Sequence, residues 1–150
     1  MSRSRSPVSK VALASVLWVR YGYVRLVTGR RPLPAAIGTI GNVRQRSTGR
    51  TEPRHMGLIV GRVLRVGPWQ PRCLFQALVL YRTLRAQGEP AELVIGLPEE
   101  ASSKDAHAWV EIGGSDVGPP PGRGEHRELA RYGGEPGRAR SDRRARRTAR

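Results

Sequence analysis

Two residues carry most of the chemistry that this sequence can offer. Cys73 is the single cysteine of the chain, and it stands where the polar turn Trp69 to Arg72 gives way to a long apolar-periodic run. A helix beginning there directs its unpaired backbone N–H groups and the positive end of its dipole at the sulfur, which favours the thiolate. The same N–H groups are placed to stabilise a developing oxyanion. His107 opens the run Ala-His-Ala-Trp-Val-Glu, where small neighbours leave the imidazole room to meet a partner. A thiol nucleophile needs a base within hydrogen-bond reach, and histidine is the side chain poised for that near neutral pH. Each residue alone has a plainer reading, since free cysteine is often a small buried hydrophobe and histidine sits freely at half-buried positions. The pair is worth more than either member.

The elements that must position the pair can be read from apolar spacing. Val8 to Thr28 carries apolar residues at intervals of three and four, which predicts a helix with one broad apolar face, stopped by Gly29. Ala35 to Ile40 predicts a second short helix, and the polar stretch Gly41 to Pro53 an exposed connector. Leu58 to Val66 predicts a third helix, ended by Gly67 and Pro68. The strongest helix signal runs from Cys73 to Gln87, where Leu74, Ala77, Leu78, Tyr81 and Leu84 form a stripe that Val79 and Leu80 widen. Ala91 to Leu97 and His107 to Ile112 read as strands, and Gly113-Gly114 as a hairpin turn into a return strand from Ser115 to Gly118. Proline at 119–121 ends that ladder. Helices followed by a small antiparallel sheet give an α+β class.

Composition bounds the rest. With 150 residues the chain suits one compact domain. The 27 Lys and Arg against 12 Asp and Glu leave a net charge of +15, which draws acidic partners of any kind. The segment from Gly137 to Arg150 holds seven Arg and one Asp and supplies +6 of that total, so it reads as a solvated basic tail. One cysteine rules out an internal disulfide and fits a reducing compartment. The apolar stretch Val11 to Val19 is shorter than the roughly 20 residues of a membrane span, and no small-residue cleavage site follows it. These features predict a cytoplasmic protein. His55 and His126 look isolated, nothing has zinc-ligand spacing, and no phosphate-loop glycines occur, so neither metal nor cofactor is expected. Trp18, Trp69 and Trp109 read as core or site walls, because basic residues do not interleave with them.

The run Arg-Cys-Leu-Phe-Gln-Ala-Leu-Val-Leu-Tyr-Arg-Thr-Leu-Arg, then Gly-Glu-Pro-Ala-Glu-Leu-Val-Ile-Gly-Leu, then Asp-Ala-His-Ala-Trp-Val-Glu, resembles the transglutaminase-like leader peptidases of lasso-peptide biosynthesis. The resemblance covers about half the chain, from near Arg54 to Tyr132. It implies a papain/transglutaminase-like fold, with an N-terminal helical segment and connector over residues 1–53, a cysteine peptidase core over 54–133, and the basic tail over 134–150. It also implies a hydrolase that removes the leader from a ribosomally synthesised precursor peptide, with Cys73 as nucleophile, His107 as base and an acyl-enzyme between them. The precursor leader, a separate leader-recognition protein and the ATP-dependent lasso cyclase are the implied partners; neither membrane nor nucleic acid is expected among them.

The third catalytic position departs from the family's pattern. An orienting Asp belongs on the return strand about a dozen residues past the histidine, and Gly118, Pro119 and Pro120 stand there instead. Asp116 is the nearest acid, but a tight Gly113-Gly114 turn sets it opposite Glu111, about 13 Å along the strand from His107 at some 3.3 Å per residue. A looser turn or a bulge would bring it closer, and Asp105 is the other choice. For the oxyanion, the Cys73 backbone N–H and the Gln70 side chain are the nearest groups. Three alternatives stay open: a transglutaminase-like acyltransferase, a pseudoenzyme scaffold, and a nucleic-acid binder acting through the Arg-rich tail.

Overall fold

Apolar spacing near the N-terminus becomes a single long helix, α1 (Pro7–Arg30), which turns at Arg31 into α2 (Leu33–Gly41), with proline in the first turn of α2. A computed structural model describes residues 7–45, 49–69, 71–99 and 106–133. Gln70, Asp105 and the basic tail over 134–150 lie outside the described residues.

The third helix begins well before the position that spacing predicts. α3 spans Pro53–Val63 rather than starting at Leu58, because Glu52 caps it. Its two carboxylate oxygens accept the backbone N–H of Arg54 at 3.0 Å and of His55 at 2.7 Å, and Pro53 is preset for a first turn. The chain leaves the helix at Leu64, and Val66 and Trp69 pair backbone to backbone across Gly67 and Pro68. That small turn delivers the chain to α4 (Cys73–Ala86).

α4 is the central helix. Every residue from Gln76 to Tyr81 is buried, as are Thr83 and Leu84. The Thr83 hydroxyl in that run is satisfied twice: it donates to the Val79 carbonyl at 2.7 Å and accepts from Arg20 of α1 at 2.9 Å. Leu17 and Val24 from α1, Ile37 and Ile40 from α2, and Met56 and Val60 from α3 close around it. Removing one such buried Leu costs about 2–5 kcal/mol.

The sheet forms from β1 (Ala91–Pro98), β2 (His107–Ile112), β3 (Ser115–Gly118) and β4 (His126–Gly133), in the order β3-β2-β1-β4 and antiparallel throughout. Among the described residues, four helices with a four-stranded antiparallel sheet make the α+β class that the sequence implies. Gly113 and Gly114 both take positive φ, as a two-residue hairpin turn requires. Ala91, Leu93, Ala108 and Val110 join the helix-packed core, so alternation turns Glu92, Val94, Trp109 and Glu111 to the other face.

β4 is the element that the sequence reading lacks. Proline at 119–121 does end the β3 ladder, but the chain then crosses to the opposite edge and pairs with β1. Its sequence His-Arg-Glu-Leu-Ala-Arg-Tyr-Gly shows no apolar alternation, because an edge strand with much of its surface in water does not need one. The short apolar stretch foreseen near the N-terminus also sits in a longer helix. Ser9 to Arg30 is long and apolar enough, by length and composition alone, to cross a membrane, while Leu17 and Val24 within it are fully buried in the domain core.

Candidate functional site

The site is built at the N-terminus of α4. The Arg72 carbonyl accepts Phe75 N–H at 3.0 Å and Gln76 N–H at 3.3 Å, which starts the helix. The buried Gln76 side chain reaches back and donates to the Pro71 carbonyl at 2.9 Å, fixing the turn that precedes the cysteine. Arg72 supplies no side-chain cap. Cys73, half-buried, thus occupies the first helical position, where the helix dipole favours an anion.

His107 enters from β2. The imidazole, as hydrogen-bond partner for the thiolate, is the largest influence holding the Cys73 thiol below its ordinary pKa; burial opposes it, and the backbone of Ala108 and of Leu74 add to the lowering. Reciprocally, Cys73 is the largest influence raising His107, again against burial. The structure therefore brings together the two residues that the sequence singles out. They are adjacent without being locked. The thiol's own hydrogen bond is a long one, 3.8 Å to the Ala106 carbonyl, and His107 Nε2 is buried with no hydrogen-bond partner among the described residues. Contacts of this kind are often long in a ligand-free site and tighten when substrate binds. The backbone of Ala108 and of Leu74 is thus the main-chain contribution that favours the thiolate.

Two rings flank the imidazole. The Trp109 ring stacks with centroids 6.2 Å apart and planes at 22°, and the His126 ring lies 4.9 Å away. His126 is not isolated, as its place in the sequence implies, because β4 folds back beside β1 and carries it to the site. Its Nδ1 lies 2.9 Å from the Arg123 carbonyl oxygen. No signal in the spacing of residues predicts this, since it depends on a strand with no apolar pattern.

Trp109 is itself held from behind. Its indole N–H donates to Glu111 at 2.8 Å, and the other Glu111 oxygen pairs with Arg131 of β4 at 2.8 Å. Arg131 also pairs with Glu92 and Glu128, and together these carboxylates raise its pKa still further. Gly96, opposite His107 in the β1–β2 ladder, leaves room for the indole: a Cβ there would lie 2.8 Å from Trp109 Cη2 and 2.7 Å from the Arg127 carbonyl.

Asp116 pairs with Glu111 across the hairpin, as a tight turn demands, although the register slips between Val110 and Glu111. Its oxygens accept the N–H of Gly118 at 2.7 Å and of Arg123 at 2.6 Å. It acts on His107 through its charge, the smallest of the influences that raise the imidazole. Gln70 and Asp105, the other sequence choices, lie outside the described residues. Among the described residues no three His, Cys, Asp or Glu side chains converge to hold a metal ion.

A helix-borne thiol beside a strand-borne imidazole, in an α+β frame with the helix preceding the sheet, is an arrangement whose chemistry can support nucleophilic acyl transfer. Known proteins agree with it at the level of family. The Transglutaminase-like superfamily model matches residues 17–132, a span that takes in Cys73, His107, the strands β1 to β3 and all of β4 but its last residue. No curated protein and no solved structure matches the chain significantly. With the match extending over more than half of its length, the chain belongs to the transglutaminase-like superfamily.

Proposed function

We propose that this chain is a cysteine peptidase that cleaves the leader from a ribosomally synthesised precursor peptide, in the manner of the lasso-peptide leader peptidases that its sequence resembles. The observation that carries the chemical part is the Cys73–His107 pair, each the foremost influence on the other's protonation. The choice of a leader as substrate rests on the resemblance of the segments around Cys73, Ala91 and His107.

In this reading His107 takes the thiol proton as Cys73 Sγ attacks the scissile carbonyl carbon. The tetrahedral oxyanion forms at the start of α4, where backbone N–H groups and the helix dipole favour negative charge. Collapse breaks the C–N bond, the leaving amine takes the proton from His107, and the leader remains as a thioester on Cys73. Water then gives a proton to His107 and attacks the thioester, releasing a carboxylate and restoring the thiol. An amine in place of water turns the same second step into acyl transfer. A separate leader-recognition protein and the ATP-dependent cyclase are the proposed partners, and the strongly basic chain suits an acidic leader or docking surface.

The test is incubation of the purified chain with a precursor peptide, with and without the recognition protein, followed by mass spectrometry. The expected products are free leader and free core, absent with Cys73→Ala. Cleavage that persists in the Cys73→Ala variant excludes the mechanism, and a leader–amine adduct in place of hydrolysis assigns acyl transfer.

A further inference from the structure

Four of the eight Phe, Tyr and Trp residues gather in one row, and none of the four is buried. Trp18, Tyr21 and Arg25 follow one another along one side of α1, at intervals of three and four. Trp69, from the small turn before α4, stacks on Trp18 with ring centroids 5.7 Å apart and planes at 23°, and meets Tyr21 edge-on at 5.7 Å. Tyr21 in turn meets Phe75 of α4 edge-on at 6.2 Å, and the Arg25 guanidinium lies over the Phe75 ring at 4.8 Å. Trp18, Tyr21 and Phe75 rest on the core with part of their surface in water, while Trp69 is 45% exposed and Val66, its backbone partner in the turn, 54%. Rings that only pinned α1 to α4 would lie buried between them. This row instead ends in a half-exposed indole on a loop and keeps an apolar wall open to solvent.

The charge around the wall is one-sided. Residues 1–88, which contain α1 to α4, hold 16 Lys and Arg and a single acid, Glu52, whereas residues 89–150 hold 11 basic and 11 acidic residues. The whole net charge of +15 thus belongs to the helical part, where Glu52 is engaged in capping α3. An apolar wall in a field of this sign selects an occupant that is acidic and carries large apolar side chains. The wall also adjoins the nucleophile. Phe75 lies two positions after Cys73 in the first turn of α4, so at about 100° per residue the two side chains leave opposite sides of the helix. An extended peptide crosses that helix, about 10 Å wide, in about three residues.

We propose that the wall of Trp18, Tyr21, Trp69 and Phe75, with Arg25 at its end, docks an acidic substrate segment bearing aromatic or large aliphatic side chains, about three residues from the bond that Cys73 attacks. The substrate role rests on the peptidase reading above. The rings use their faces on one another, Trp69 on Trp18 and Phe75 under Arg25, so they form a wall rather than separate platforms for successive bases.

The experiment measures by titration calorimetry the binding of two synthetic peptides: one of Glu with interspersed Phe and Leu, the other with Ala in place of Phe and Leu. The full chain is compared with Trp69→Ala, Trp69→Phe and Arg25→Glu, each shown by circular dichroism to be folded. The parent chain should bind the first peptide more tightly than the second. That affinity should fall about tenfold in Trp69→Ala, be largely kept in Trp69→Phe, fall in Arg25→Glu, and weaken as salt is raised. In cleavage of a precursor the Trp69→Ala loss should appear in KM rather than kcat. Equal binding of the two peptides, or a Trp69→Ala variant that binds like the parent, overturns the proposal. Oligodeoxythymidylate or phosphatidylglycerol vesicles that bind more tightly than the peptide, and lose that binding in Trp69→Ala, overturn it in favour of nucleic acid or membrane. Failure of the peptidase reading shows differently, as peptide binding of the expected profile in a parent chain that cleaves no precursor, which removes the substrate role from the wall.

Discussion

Glu111 is 2% exposed and lies between the Trp109 indole N–H and the Arg131 guanidinium, each 2.8 Å from one of its oxygens. A buried carboxylate survives only while both partners remain, because an unpaired charge in such a place is costly. Arg131→Leu should therefore destabilise the fold by about 3 kcal/mol, the lower part of the range for stranding one member of a buried pair. Combining it with Glu111→Leu removes the stranded charge and should recover much of that loss. Urea unfolding of the two single variants and the double variant checks this, and a double variant no more stable than Arg131→Leu counts against it.

Gly96 connects that network to the base. Any side chain there meets the Trp109 ring and the Arg127 carbonyl at once, one a neighbour of His107 and the other backbone of β4. Gly96→Ala should cost about 1–3 kcal/mol through overpacking and lower activity more than its stability loss explains, because the displaced indole pushes on the imidazole. Thermal melting alongside cleavage kinetics separates the two effects. Unchanged kinetics in the folded variant would show that Trp109 does not set the position of His107.

How far the sequence foretold these features depends on which kind of signal each one leaves. α4, β1, β2 and β3 were legible because burial imposes periods of 3.6 and 2 on residue type, and the Cys73–His107 pair because chemistry restricts its members to few residue types. α3 was misplaced because its start rests on Glu52, a cap made by a residue that rarely marks one. β4 and His126 were illegible for a deeper reason. An exposed edge strand has no compositional requirement beyond pairing, so its place emerges from the fold and not from its own residues.

The Glu52 cap has its own pH signature. Its carboxylate is held below the ordinary value, first by the His55 N–H and then by the Arg54 N–H. A depressed carboxylate contributes stability that is present above the unfolded value, about 4.3, and lost as pH falls through the folded one. Glu52→Ala should lower the melting temperature at pH 7, with the difference from the parent chain shrinking as the buffer is brought below about pH 4. A gap independent of pH would mean that the carboxylate's ionised form contributes nothing to the start of α3.

The sharpest prediction concerns the thiol. Cys73 is held below its ordinary pKa chiefly by His107, while burial pulls the other way. Alkylation of the parent chain should therefore show a midpoint below about 8.5, the ordinary thiol value. In His107→Ala the main lowering influence is gone and burial remains, so the midpoint should rise, and the alkylation rate at pH 7 should fall by about tenfold or more as the thiolate fraction shrinks. His107→Gln, which can still donate a hydrogen bond but carries no charge, should fall between the two. If alkylation in His107→Ala instead follows the parent curve, the α4 terminus with the Leu74 and Ala108 backbone is sufficient to activate the sulfur, and the imidazole takes no part in making the nucleophile.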